Sequence, residues 1–443
     1  MAQANPTQAL ANIYRTPELW EKIVFTFICL VVYRVGSYVA VPGVNVQAMV
    51  DFFQSQQNSG GLLGMYDLFV GGNLSRSTVF ALGIMPYISA SIFAQIAAAV
   101  IPQVEKLQKD EEGRKKITQW TRYATVGLAL VQAWGYGLFT ESIQGAVASP
   151  GFGFKTEMAL VLTSGAVFVM WLGEQITERG LGNGASLMIF FSIVQGFLPS
   201  IYATFELLST QALSPFALIL LLAVMAGVIA GVVLITLAAR RIAIQIPQRT
   251  MGRGRMQEAS KHHIPLRINT AGVMPIIFAQ SLIVVPGALA QFSGNPRLQD
   301  FAEYFQPGTM LYYLLSAVLI ILFTYFYTAI VFNPVDLAEN LKKQGGFIPG
   351  VKPGAKTAEY IDHVVTRITL PGAVFLTLIA LLPIWISRSV SVTFQFGGTS
   401  LLIVVGVALD TLAQMNQHLL LRKYDTFMKK GRVRFRGRQQ GAF

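Results

Sequence analysis

The chain has 443 residues, of which 53% are hydrophobic and only 13% are charged. Soluble domains carry about 25% charged residues, so this composition excludes an ordinary soluble protein and predicts an integral membrane protein. Cys29 is the only cysteine, which excludes an internal disulfide and a multi-thiolate metal site. The net charge of +12 suits anionic lipid, nucleic acid or an acidic partner, and the position of the cations relative to the membrane decides between them.

Apolar runs of about 20 residues predict an all-α, polytopic protein with ten transmembrane helices. We place the spans at residues 23–41, 77–101, 123–140, 157–176, 185–205, 215–238, 269–291, 309–332, 368–387 and 400–421. The first run lacks a small-residue cleavage site, so we interpret it as a retained span and not as a signal peptide.

The distribution of lysine and arginine predicts the orientation. With the N-terminus in the cytoplasm, 29 of the 34 cations fall in cytoplasmic segments and four fall on the other side. The positive-inside rule therefore predicts that both termini are cytoplasmic. Two charges lie within predicted spans, Arg34 in the first and Asp410 in the tenth. Intramembrane charges are functional candidates, and we hypothesise that these two lie at similar depth and pair.

A short apolar segment, residues 62–70, lies between Gly60-Gly61 and Gly71-Gly72. At about 1.5 Å per residue, it is too short to cross a hydrocarbon layer of about 30 Å. Apolar, irregular backbone is tolerated in a membrane only against protein or a water-filled cavity. We therefore expect this segment to lie in a central cavity; the alternative is a re-entrant packing element.

An internal repeat appears once the spans are numbered. Residues 83–88 (GIMPYI) match residues 272–277 (GVMPII), and residues 184–189 (GASLMI) match residues 398–403 (GTSLLI). Both matches are five spans apart, and because five is odd, the second copy is inverted in the membrane. Such interrupted segments at corresponding positions of two inverted halves indicate a central pathway.

The predicted organisation follows from this repeat. It comprises a cytoplasmic tail (1–22), a first half of five helices (23–205), a second half of five helices (206–421) and a basic cytoplasmic tail (422–443).

The matched segments supply aliphatic side chains to the predicted pathway: Ile84, Ile88, Ile189, Ile277 and Ile403, with Ile193 one helical turn after Ile189. An ion pore needs rings of carbonyls or charges, and a small-solute carrier needs fixed polar contacts. A constriction of isoleucines offers neither, but it can close around a chain of varying side chains. The alternative is that these residues only pack helices together.

Two cytoplasmic loops are large and basic. In residues 240–268, Ile242, Ile244 and Ile246 recur with a period of two, which predicts a β-hairpin. Residues 333–366 contain a turn-rich tip with one cation, Lys352. Basic loops suit anionic lipid or RNA phosphate, and the alternative is charge that only sets topology.

The sequence contains no nucleophile–base constellation, no HExxH helix and no phosphate-binding loop. We therefore expect a protein that is not an enzyme and that uses no cofactor or metal. The glycine-rich residues 180–184 are better interpreted as a tight connection between spans 4 and 5.

Longer motifs resemble a known family. Residues 78–90 (TVFALGIMPYISA) and 171–184 (WLGEQITERGLGNG) resemble the two signature stretches of the SecY family, the protein-conducting channel of the bacterial plasma membrane. The resemblance extends through residues 332–334 and 396–400 and covers nearly the whole chain.

This resemblance implies an hourglass with a plug near residues 61–72, formed by Leu62, Leu63, Met65, Tyr66, Leu68 and Phe69. The six isoleucines fall on the positions of the family's pore ring. Spans 2 and 3 against spans 7 and 8 would form a lateral gate, with Ser89, Gln132 and Asn269 in a polar cluster that holds it closed.

The resemblance also implies partners: SecE, SecG, the SecA motor, the translating ribosome, signal sequences and nascent polypeptides, and membrane lipid. Arg249, Arg253, Arg255 and Lys352 would dock the ribosome or SecA. The family usually has arginine at the position of Lys352, and lysine lacks the bidentate fork of arginine. In the first loop, Gly254 separates two arginines that are adjacent in the family.

Two rival functions are consistent with parts of the sequence. An ion-coupled transporter also uses inverted repeats, but it needs several carboxylates in the membrane, and Asp410 is nearly alone. A membrane-anchored RNA-binding protein needs clustered cations, whereas here they are spread over loops between spans. We therefore predict a channel that passes unfolded polypeptides and releases apolar segments sideways, driven by a motor, a ribosome or the membrane potential.

Overall fold

The computed structural model describes residues 17–57, 62–210, 214–245, 262–292, 297–298, 300, 304–389 and 398–430. The helices of the first half are α1 (Pro17–Gly36), α2 (Val46–Gln57), α3 (Leu62–Val70), α4 (Met85–Val100), α5 (Pro102–Lys109), α6 (Glu111–Ser142), α7 (Phe152–Arg179) and α8 (Gly184–Ser209). Next come α9 (Pro215–Leu237), β1 (Ala239–Ile244), β2 (His262–Arg267), α10 (Met274–Phe292), α11 (Met310–Val331), α12 (Pro334–Lys343), α13 (Ala355–Ser389) and α14 (Gly398–Lys430).

Ten of these helices coincide in order with the ten predicted spans: α1, α4, α6, α7, α8, α9, α10, α11, α13 and α14. Within the described residues, seven helices are long and apolar enough to cross a membrane, and α4 with α5 makes an eighth span bent by 108°. The bend falls at Ile101, which is extended because the following Pro102 disfavours a helical conformation in the residue before it. The all-α, polytopic fold class is confirmed.

The bounds of the first two spans differ from the prediction. Helix α1 ends at Gly36, and the following residues are extended: Val41 N donates to Ser77 O, and Val79 N donates to Val39 O, each over 2.9 Å. The second predicted span is helical only from Met85. Hydropathy alone cannot separate these apolar residues in turns and bridges from the helices beside them.

The internal repeat is a structural repeat. Gly83 and Gly272 both have positive φ (54° and 63°), and each precedes a helix that begins at the Met-Pro pair two residues later. Glycine is favoured there because left-handed φ costs other residues energy. The second matched pair also begins corresponding helices, α8 at Gly184 and α14 at Gly398.

The helix contacts repeat as well. In the first half α4 packs on α6, α6 on α7, α7 on α8 and α1 on α7; in the second half α10 packs on α11, α11 on α13, α13 on α14 and α9 on α13. The two halves meet where α10 packs on α4 and α6, and where α14 packs on α8. One large hydrophobic core runs through both halves.

The predicted hairpin is present. Strands β1 and β2 pair antiparallel, with Ala239 opposite Arg267 and Ile244 opposite His262. Residues 246–261 lie outside the described part. Gln245 and Phe347 exchange two backbone hydrogen bonds of 3.0 and 2.9 Å. A separate hydrophobic cluster joins the hairpin to α12 and the start of α13. The two loops predicted to be cytoplasmic therefore pack as one unit, which we call the cytoplasmic unit after that prediction (residues 239–245, 262–267 and 333–366).

Candidate functional site

The six predicted pore-ring isoleucines are all buried, each at most 5% exposed, and all belong to the large hydrophobic core. Ile88 on α4, Ile189 on α8 and Ile277 on α10 line one cavity of about 170 Å³. These three side chains come from three helices and from both halves. The structure thus brings together residues that are far apart in sequence, and we call this region the waist.

The cavity that these isoleucines line has a mixed lining. Its polar side chains come from α4, from the end of α7 and from the start of α8 with the residue before it: Ser91, Gln95, Thr177, Asn183 and Ser186. Apolar and aromatic side chains from α10 and α11 also line it: Met274, Ile277, Phe278 and Tyr327. The cavity therefore combines polar and apolar side chains from both halves.

The short helix α3 fills the centre beside the waist. It packs on α8 and α10, and Leu62, Leu63, Tyr66 and Phe69 are buried, while Met65 and Leu68 are half-buried. Its fit is close at both ends. A Cβ at Gly287 of α10 would lie 2.6 Å from Leu62 Cδ1, and a Cβ at Gly83 would lie 2.9 Å from Val70 Cγ1.

Hydrogen bonds hold the C-terminal end of α3. Val70 O accepts from Asn73 Nδ2 over 2.7 Å and from Tyr33 OH over 3.2 Å. Gly71 O accepts from Gln195 Nε2 over 2.7 Å. Carbonyls at a helix end have no partner within the helix, so these side chains satisfy groups that would otherwise be unpaired. In this structure side chains from α1, from α8 and from the loop after α3 therefore hold the C-terminal end of α3.

A buried carboxyl also belongs to this region. Asp67 lies within α3, and its Oδ1 accepts from Leu74 N over 2.9 Å and from Ser75 N over 3.0 Å. The sequence patterns predicted no role for Asp67, Tyr33, Asn73 or Gln195. The available signal was that Asp67 is the only charged residue in the apolar segment 62–70.

The three predicted gate residues, Ser89, Gln132 and Asn269, are all buried, each at most 7% exposed. Ser89 lies on α4 and Gln132 on α6, the two first-half helices that pack on α10, and Asn269 lies shortly before α10. Among the described residues the three form no hydrogen bonds with one another. Asn269 Nδ2 donates to Gly272 O over 3.0 Å, whereas Ser89 Oγ and both polar atoms of Gln132 have no hydrogen-bond partner in the described part of the chain. The structure therefore shows none of the expected polar bonds among these three described residues.

The hypothesis that Arg34 and Asp410 pair is wrong for this structure. Arg34 lies in the last turn of α1, because that helix ends at Gly36, and its guanidinium stacks 4.6 Å from the centroid of the Tyr38 ring. Asp410 lies well inside α14, and its carboxylate is next to Gly272. A Cβ added to Gly272 would lie 3.1 Å from Asp410 Oδ2. Among the described residues, no salt bridge involves either side chain.

Of the predicted docking residues, Lys352 is exposed at the turn before α13, while Arg249, Arg253 and Arg255 lie outside the described residues. Near Lys352, Lys356 Nζ donates to Glu359 Oε2 over 2.8 Å. This hydrogen bond raises the pKa of Lys356 and lowers the pKa of Glu359. In the described part of the chain, no three His, Cys, Asp or Glu side chains are grouped as a metal site.

Comparison with known proteins gives consistent matches. The SecY family model matches residues 78–412. The protein translocase subunit SecY of Aquifex aeolicus is 43% identical over 96% of this chain and 100% of its own length. The protein of the same name from Pseudomonas aeruginosa is 45% identical over 98% of each chain.

Solved structures share the fold at low sequence identity. One described as a protein conducting channel has a TM-score of 0.65 and 16% identity, over 94% of each chain. Another, Sec61 in a canine ribosome-channel complex from the endoplasmic reticulum, has a TM-score of 0.61 and 15% identity, also over 94% of each chain.

Proposed function

The chain belongs to the SecY family, and from this premise we propose that it is the central channel subunit of a Sec translocon. It passes unfolded polypeptides across the plasma membrane and releases hydrophobic segments into lipid through a lateral gate. The observation that carries this proposal is the seated helix α3 beside a waist of buried isoleucines from both halves. The relatives are named as protein translocase subunits, which agrees with it.

The waist is suited to a passing polymer. Aliphatic side chains make no directional contacts, so they close around extended chains of any sequence and present no fixed binding site that would retain one. When no chain is present, α3 fills the space and excludes water. Because apolar burial of each large side chain contributes about 1.5–3 kcal/mol, the buried residues of α3 give the closed state several kcal/mol.

Lateral release uses the contact between the halves. We define the gate as α4 and α6 of the first half against α10 and α11 of the second. Ser89 and Gln132 are buried there without hydrogen-bond partners, which costs free energy in the closed state. A hydrophobic segment that enters between the helices offers them no partner either, but it replaces the apolar contacts that are lost when the gate opens. The gate is thus closed by packing and only weakly biased by polar groups.

The partners follow from the family and from the charge distribution. We propose that the chain works with SecE and SecG, and that the cytoplasmic unit receives the SecA motor or the translating ribosome. One structural relative was determined in a ribosome-channel complex. Arg249, Arg253, Arg255 and Lys352 are the proposed docking cations. The excess of cations on one side supports a multi-pass arrangement in the bacterial inner membrane with both termini in the cytoplasm.

The rival is a carrier, and deletion of residues 62–70 separates the two. The full-length chain, purified with its partner subunits, is reconstituted in vesicles, and anion leak and transport of an unfolded precursor are measured. A plugged channel gains leak by more than about tenfold, because several kcal/mol of apolar burial is removed from the closed state. A carrier instead loses transport without gaining leak, and that result would contradict the proposal.

A further inference from the structure

Tyr136 lies where three parts of the molecule meet. It belongs to α6 of the first half and is fully buried. Its ring meets the ring of Phe292, on α10 of the second half, edge to face with centroids 5.5 Å apart. The ring of Phe139, one turn along α6, lies 5.3 Å from the same Phe292 ring. This aromatic contact crosses the gate at the end of α10.

The hydroxyl of Tyr136 reaches a different part of the chain. It donates to Leu74 O over 2.7 Å, and since a phenol has only one proton, Ser77 Oγ donates to it over 2.6 Å. Leu74 lies in the loop that follows α3. The same residue donates its N–H to Asp67 Oδ1. The loop is thus bonded on one side to the plug helix and on the other side to Tyr136.

The ring of Tyr136 is held in one orientation by its surroundings. Phe52 and Phe53 of α2 pack on Phe139 at centroid distances of 5.6 and 6.3 Å. At Gly135, the residue before Tyr136, a Cβ would lie 3.3 Å from Phe292 Cβ, so α6 and α10 approach closely here. A buried ring of this kind cannot turn unless a neighbour moves away.

We propose that Tyr136 is a positioning residue that couples closure of the lateral gate to seating of the plug. This inference rests on the proposed channel function and deepens it. When α10 moves away from α6, the Phe292 ring leaves and the Tyr136 side chain gains freedom, which weakens its bonds to the loop. Conversely, when the loop leaves, the Tyr136 ring loses the anchor that presents it to Phe292. The contact of Leu62 with Gly287 supports this coupling, because the plug also touches α10 directly.

Two single variants and their combination test the coupling. Tyr136→Phe removes the hydroxyl and keeps the ring, whereas Phe292→Leu removes the ring and keeps an apolar side chain. Two quantities are measured on the full-length chain in its complex, reconstituted in vesicles. The first is anion leak at rest. The second is the gate threshold, the smallest number of leucines in a polyalanine signal segment that gives half-maximal transport.

Each single variant is expected to change both quantities. Tyr136→Phe removes a buried hydrogen bond, so it is expected to raise anion leak roughly fivefold. It is also expected to lower the gate threshold, although the aromatic ring remains. Phe292→Leu is expected to raise leak although Phe292 lies on α10 and not on the plug. The fold-change in the double variant is expected to be smaller than the product of the two single fold-changes, because both residues act through the same contact.

Two matched controls isolate the coupling from general loss of packing. Tyr33 OH also donates to the plug, at Val70 O, but its ring stacks on Phe80 within the first half. Tyr33→Phe is therefore expected to raise leak and leave the threshold unchanged. Phe168 meets Trp171 within α7, outside the gate helices, with ring centroids 5.8 Å apart, so Phe168→Leu is expected to change neither quantity.

The outcomes decide between the alternatives. If Tyr136→Phe raises leak but leaves the threshold unchanged, as Tyr33→Phe does, or if the double variant is multiplicative, the coupling is refuted. If both single variants only lower thermal stability, Tyr136 is structural and the coupling is refuted as well. The unmodified chain tests the proposed function separately, because it must transport a precursor with a strongly hydrophobic signal.

Discussion

Two connections occupy corresponding places in the inverted halves and have opposite structures. The connection from the first to the second membrane helix, residues 37–84, folds inward and places α3 beside the waist. The connection from the sixth to the seventh, residues 238–273, folds outward as the β1–β2 hairpin. Both nevertheless end in the same turn, a glycine of positive φ before a Met-Pro helix start.

The difference arises from the composition of the connections and not from the helices that they join. Residues 62–70 contain one charged residue, and its carboxyl is bonded to backbone amides nearby. Residues 240–268 contain seven lysines and arginines. An apolar segment lowers the free energy by entering the protein, whereas a basic one remains in water. The two connections therefore suit the two roles proposed for them, the plug in the first half and the docking surface in the second.

The two repeats are expected to be most alike at the waist. Asparagine substitution there has the largest expected effect on anion leak. Ile88 and Ile277 occupy matching positions of the repeat and line the same cavity. Ile88→Asn and Ile277→Asn are each expected to raise anion leak on the order of tenfold, since a polar group wets an apolar constriction. Vesicle leak assays measure this.

The control for the waist is Ile361→Asn. Ile361 is buried as Ile277 is, but it lies on α13 in the separate hydrophobic cluster that joins the hairpin to α12. This variant is expected to lower thermal stability without raising leak. If anion leak differed greatly between Ile88→Asn and Ile277→Asn, the two halves would not contribute equally to the constriction.

The outward connection is tested by reversing its charges. Arg253→Glu combined with Arg255→Glu is expected to weaken binding of the ribosome or SecA by several-fold or more, because charge complementarity governs such encounters. Resting leak is expected to stay unchanged. The lysine pair, Arg253→Lys with Arg255→Lys, keeps the charge and is the matched control in a co-sedimentation assay. Equal binding by the glutamate and lysine pairs would remove these residues from the docking surface.

The two turn glycines give a smaller effect that separates the connections. Alanine at either position incurs a cost of about 1–3 kcal/mol for its positive φ, so both variants are expected to melt at lower temperature. Gly83→Ala also presses on Val70 of the plug, whereas Gly272→Ala meets Asp410 instead. Only Gly83→Ala is therefore expected to raise leak, by a few-fold. Leak in both variants would mean that the turn itself, and not the plug, carries the seal.

The smallest expected effect concerns the gate between the halves. Gln132→Leu removes two buried polar atoms that have no hydrogen-bond partner, so it is expected to stabilise the closed state by about 1 kcal/mol. A slightly higher melting temperature and a higher gate threshold are the measurements. Thr125→Val on the same helix is the control, because Thr125 already donates to Thr121 O over 2.7 Å. A lower threshold for Gln132→Leu would mean that this glutamine does hold the gate closed.

Periodicity and composition predicted much of this fold. The order of the ten predicted spans, the repeat and the hairpin follow from local patterns, and the structure has a helix at each span and a hairpin at β1–β2, with seven or eight of the helices apolar and long enough to cross a membrane among the described residues. Helix ends were less predictable. Helices α6 and α13 begin at Glu111 and Ala355, about a dozen residues before the predicted spans, because helical hydrogen bonds continue where hydropathy falls.

The contacts that seat the plug could not be predicted from the sequence. Tyr136 bonds to a residue 62 positions away, and Tyr33 bonds to one 37 positions away. No local spacing marks such pairs, since they exist only once the helices have packed. The isoleucines of the waist were easier to predict from the sequence, because the repeat places them at matching positions of both halves.

The cytoplasmic unit has a mechanical consequence. Its two loops share one hydrophobic cluster and the Gln245–Phe347 bridge, so a force on either loop acts on a single stiff body. That body is joined covalently to α10 through residues 268–273, and a Cβ at Gly372 of α13 would lie 3.0 Å from Ile268 Cγ2. A pull or twist applied outside the membrane therefore reaches the helix that bears Ile277 with little intervening slack.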